Sequence, residues 1–61
     1  MLTDKEKLER LKMCVALLND VDAMQQAALG DSDVCYANHN KLAELIEDFE
    51  EDIYTLENPV T

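Results

Sequence analysis

Cys35 and His39 stand four residues apart, a spacing that places a thiol and an imidazole on one helix face and forms half of a tetrahedral zinc site. No second pair follows, so the residues read as a packed cysteine beside a polar histidine. Asp31-Ser32-Asp33 opens like a calcium loop, but Cys35 and Tyr36 stand where an oxygen ligand and the glycine are needed. The Glu-x-x-His pairs of carboxylate-bridged di-metal bundles are missing, because Tyr36 lies three residues before His39. Glu44, Glu47, Asp48, Glu51 and Asp52 have the helical spacing that holds magnesium and a phosphate ester when two such clusters face each other. A single cluster reads as a solvated acidic face. For nucleophilic catalysis, Cys14 lies far from His39 and no third group is arranged around Cys35. The expectation is a protein with no catalytic residue, metal or cofactor, and not an enzyme.

Asp22, Gln25, Gln26, Tyr36 and His39 are the remaining set with ligand chemistry. Brought together, Tyr36 and His39 can stack on or hydrogen-bond a small molecule while Asp22 orients the imidazole. The alternative is a solvated bundle end, or a polar layer that fixes register.

The elements that must position these residues are two helices. Thr3-Asp4-Lys5-Glu6 is a capping box, in which the Thr3 hydroxyl accepts from the Glu6 N–H and Glu6 reaches back to the Thr3 N–H. No glycine or proline interrupts until Gly30, the only glycine, which suits the position just past a helix end; the first helix therefore spans about 4–29. Asp31 or Ser32 caps a second helix over about 33–57, stopped by Asn58-Pro59 and followed by a short tail, 58–61. Two helices of matched length, about 37–39 Å each at 1.5 Å per residue, joined by two or three residues make an antiparallel αα-hairpin. The fold class is all-α, one hairpin domain over 1–61 without a linker.

On the second helix Leu42, Leu45, Ile46, Phe49, Ile53 and Leu56 form an apolar stripe, with seven acids between Lys41 and Glu57. Leu8, Leu11, Val15 and Leu18 on the first helix face that stripe. If facing residues sum to about 62, Arg10 lies by Asp52 and Lys12 by Glu50. A second row on the first helix, Cys14, Leu17, Val21, Met24 and Ala28, is turned by roughly 100° and is not needed by the hairpin. So short a chain has little core of its own, and this row predicts self-association, a dimer forming a four-helix bundle. In outline this resembles the small dimeric RNA-binding four-helix bundle proteins of plasmid copy control. Those use cationic and aromatic side chains on the exposed face of helix 1, a function for which this chain is too acidic.

Fourteen acids against five bases give a net charge of −9 over 61 residues. Such a surface repels nucleic acid and anionic membranes and favours a basic protein partner. No apolar run approaches the roughly 20 residues of a membrane span, and TDKEKLER lacks a signal peptide's hydrophobic core, so the expected compartment is cytoplasmic with both thiols reduced. The leading expectation is a small regulatory protein, of the kind that inhibits a nucleic-acid-binding protein in phage or plasmid systems, acting through the acidic face of helix 2. A small-ligand or nucleotide-binding oligomer and a structural assembly adaptor are the alternatives.

Overall fold

The computed structural model describes residues 1–59, which form two helices, α1 (Asp4–Leu29) and α2 (Asp33–Glu57). The capping box at the start of α1 is complete: the Glu6 N–H donates to the Thr3 hydroxyl at 3.2 Å and the Thr3 N–H to Glu6 Oε1 at 3.3 Å. Both ends of the exchange satisfy backbone groups that the first helical turn leaves unpaired. Ser32, not Asp31, caps α2, its hydroxyl accepting from the Cys35 N–H at 3.0 Å. At the far end the Asn58 side chain donates to the Tyr54 carbonyl at 3.1 Å, closing α2 before Pro59. Residues 60–61 of the expected tail lie outside the described residues.

Gly30 ends α1 with φ 61° and ψ −142°. The sequence suggests the left-handed helical region for a glycine in this position, but the ψ value lies far from it, in a region that only glycine enters readily. The reversal is made there, and α2 returns along α1 in an antiparallel hairpin of 46 × 18 × 15 Å. Two contacts define the direction: Lys12 meets Glu57, and ten residues later Asp22 meets His39.

The core is a single thin seam. Leu8, Leu11, Val15, Leu18, Asp22 and Gln25 are half-buried on α1, at alternating steps of three and four. Opposite them run Asn38, Leu42, Ile46, Phe49, Ile53 and Leu56 on α2, headed by Cys35, which at 5% exposure is the only buried side chain among the described residues. Leu45, expected in the inner stripe, is instead 43% exposed. At 100° per residue Ile46 lies about 40° to one side of the mean direction of this row and Leu45 about 55° to the other, and the half-buried one of the two is Ile46.

The expected neighbour of Lys12 is also corrected. Its ammonium lies 3.5 Å from Glu57, not against Glu50. Helical side chains lean toward their own N-terminus, so in an antiparallel pair long chains meet when their residue numbers sum above the backbone pairing. Arg10 and Asp52 do line one groove together, between Cys14 and Leu56. No helix among the described residues is long and apolar enough to cross a membrane.

Candidate functional site

Asp22 is the centre of the polar end of the hairpin. Its inner-row position on α1 leaves its side chain 16% exposed. Oδ1 accepts from the Gln25 amide at 2.9 Å, and Oδ2 from the Gln26 amide at 3.1 Å. His39 Nδ1 on α2 lies 2.8 Å from Oδ2. The Gln25 hydrogen bond, joined by those from His39 and Gln26 and by the nearby imidazole, lowers the Asp22 pKa below its usual value against the opposing effect of desolvation. An ionised carboxylate only accepts, so the proton of this contact sits on His39 Nδ1 and leaves Nε2 as the free ring nitrogen.

Four of the five residues expected to form a ligand cluster, Asp22, Gln25, Gln26 and His39, are thus joined in one network. Tyr36 stands apart from it. It remains exposed and lines, with Gln26, Asp31, Cys35 and His39, an open groove of about 460 Å³ beside Gly30. The groove offers a ring nitrogen, a phenol and an amide, which suit hydrogen bonding and stacking. Asp22 itself is occupied by three donors and acts as an anchor between the helices. Cys14 and Cys35 are free thiols, and among the described residues no group of three or more metal-ligating side chains comes together.

The acidic residues lie elsewhere. Glu44, Glu47, Asp48, Glu51 and Asp52 are all exposed, on an arc of about 140° of α2 whose edges, Glu47 and Asp52, rim the two grooves between the helices. None of the five forms an ion pair among the described residues; Lys12 with Glu57 and His39 with Asp22 are the pairs present.

The outer row of α1 separates into two parts. Leu17 at 58% and Met24 at 70% exposure, with Val21 and Ala28, face solvent. Cys14, expected in the same row, is half-buried and lines the Arg10–Asp52 groove. Exposed aliphatic residues outside the expected row are Met13 and Leu29 on α1, and Val34 and Leu45 on α2. Met13 has a signal in its four-residue step to Leu17. Val34 and Leu45 carry one only once the hairpin's handedness is known.

The chain matches no protein-family model, no curated protein and no solved structure.

Proposed function

We propose that the chain is a non-enzymatic interaction protein, a dimer of hairpins forming a four-helix bundle, that binds a basic protein surface through the outer face of α2. The observation that carries the reading is the set of five exposed acids, Glu44, Glu47, Asp48, Glu51 and Asp52, with no cation paired to them among the described residues. Carboxylates fixed along a helix make a line of negative charge comparable in sense to a phosphate backbone, and such a line steers and orients a cationic partner. A nucleic-acid-binding protein presents the matching surface, and occupation of that surface would make this chain its inhibitor.

The test is binding to a panel of basic nucleic-acid-binding proteins from the same host, measured by calorimetry, with Glu47, Asp48 and Glu51 reversed to lysine in a single variant. Binding should disappear in the variant while helix content by circular dichroism is retained. Binding that survives the three reversals discards the acidic face.

A second reading is favoured by the groove beside Gln26, Tyr36 and His39, which has the polar donors and acceptors of a small-ligand site. A thermal-shift screen against nucleosides, nucleotides and amino acids decides it. A ligand whose stabilisation is lost in both Tyr36→Ala and His39→Ala supports the groove, and no stabilisation by any of them removes it.

A further inference from the structure

The hairpin has two unlike sides. On one, the groove between the helices has Asn19, Asp22, His39, Glu47 and Glu50 around Ala43 and Ile46, so polar and charged side chains rim a small apolar floor. On the other, it is lined by Arg10 and Cys14 from α1 and by Asp52 and Leu56 from α2. Seven residues are close to two helical turns and eighteen are five, so the walls of this second groove can be followed along the molecule. From Arg10 the α1 wall continues to Leu17 and Met24, and from Cys14 to Val21 and Ala28. From Asp52 the α2 wall runs back to Leu45, seven residues before it, and to Val34, eighteen residues before Asp52. Leu17, Val21 and Met24 of α1 and Leu45 and Val34 of α2, all exposed, therefore share one side of the hairpin.

We infer that a second copy of this chain seats on this two-helix side, across Leu17, Val21 and Met24 of α1 together with Leu45 and Val34 of α2. The inference rests on the dimer reading above and names the surface that makes it. Area supports the occupant. The chain exposes 5007 Å², whereas a compact folded monomer of 6.9 kDa exposes about 4,000 Å². The excess of about 1,000 Å² is close to the ~800 Å² that each partner covers in an interface of standard size. Charge supports it as well. Lys7 and Arg10 line this groove, and Lys41, seven residues after Val34, shares its wall, where they stand with Asp48 and Asp52, so the second copy takes that edge of the acidic arc and leaves Glu44, Glu47 and Glu51 to the basic partner. On a chain of net charge −9 this is the side where bases are not outnumbered, and so the side on which two copies can approach without like-charge repulsion. A twofold axis lets one self-complementary patch serve both protomers.

The experiment uses the full chain. Sedimentation equilibrium should give twice the chain mass, and isotope-filtered NMR on a mixture of labelled and unlabelled protein should show contacts between protomers from the methyl groups of Leu17, Val21, Val34 and Leu45. Leu17→Lys and Leu45→Lys should each weaken dimerisation at least tenfold, while Tyr54→Lys, on the opposite flank of α2, leaves it unchanged. A monomeric wild-type chain overturns both the inference and the dimer, and assigns the apolar side to a different protein. A dimer whose interprotomer contacts come from α1 alone, with Leu45→Lys still dimeric, overturns the inference and leaves the dimer standing. The NMR arm is made on the unaltered sequence, so a variant that fails to fold does not decide the result.

Discussion

His39 Nδ1 on α2 lies 2.8 Å from Oδ2 of Asp22 on α1, the one hydrogen bond between side chains of the two helices among the described residues. Asp22 continues the row of Leu8, Leu11, Val15 and Leu18, so a carboxylate holds an inner position where a leucine would have extended the apolar seam. Isolated polar groups at such positions cost stability, and this one is satisfied by Gln25, His39 and Gln26. Bonds of this kind are directional, and the pair locks the axial register of α2 on α1, which sliding leucines would leave looser.

Acidification tests the anchor. Because the Asp22 pKa is lowered in the folded chain from an ordinary 3.8, its contribution is complete above that value and is lost as pH falls through the lower folded value. The difference in melting temperature between wild type and Asp22→Asn should therefore shrink as the pH falls below 3.8. Carbon NMR of the Asp22 carboxyl should show its pKa rising in Gln25→Ala and in His39→Ala. A carboxyl that titrates at its ordinary value in the wild type would show that the network does not form.

Gly30 makes a prediction that depends on chirality. A Cβ at this position meets nothing within 4 Å, so the cost of a side chain there is one of backbone conformation alone. Gly30→Ala should lose about 1–3 kcal/mol in urea unfolding. D-alanine at position 30, accessible by chemical synthesis, has the mirror preference and should gain roughly 0.4–1 kcal/mol by restricting the unfolded chain. Equal losses for both hands would show that the turn does not keep this geometry.

The two cap candidates at the start of α2 separate cleanly. Ser32→Ala should cost about 1 kcal/mol, because it leaves the Cys35 N–H without its hydroxyl partner. Asp31→Ala should stay within about 0.5 kcal/mol. A larger effect at Asp31 would reverse the assignment.

Salt should stabilise this protein. The ion pair between Lys12 and Glu57 is exposed at both ends and contributes about 0–1 kcal/mol, whereas the acids along α2 repel one another. Raising ionic strength shortens the screening length from about 30 Å at 0.01 M to about 8 Å at 0.15 M and weakens the repulsion more than the pair. The melting temperature should rise with sodium chloride, and less so once Glu47, Asp48 and Glu51 are reversed to lysine. A melting temperature that falls with salt would show that attraction dominates.

Much of this fold is written in local signals. Thr3 and Glu6 state the start of α1, Gly30 its end, and Asn58-Pro59 the end of α2, because each satisfies or refuses particular backbone groups whatever the tertiary structure. Choices between neighbours on one face are harder to read. Leu45 and Ile46 are both apolar and adjacent, and their separation into an outer and an inner residue depends on where α1 lies. Lys12 finds Glu57 because of the direction in which helical side chains lean, which residue counting does not include. At the polar end, the pairing of Asp22 with His39 follows from register, while the exclusion of Tyr36 follows from its outward rotation on α2.

The near-equal lengths of α1 and α2 give Gly30 a second meaning. Every contact that closes the hairpin joins one helix to the other, and none requires that both belong to the same molecule. If residue 30 is forced into an ordinary conformation, the helices can run on as one rod of roughly 80 Å at 1.5 Å per residue, and two such rods can restore the same seam by exchanging halves. One glycine thus holds the choice between a chain that folds back on itself and a chain that trades its second half with a neighbour.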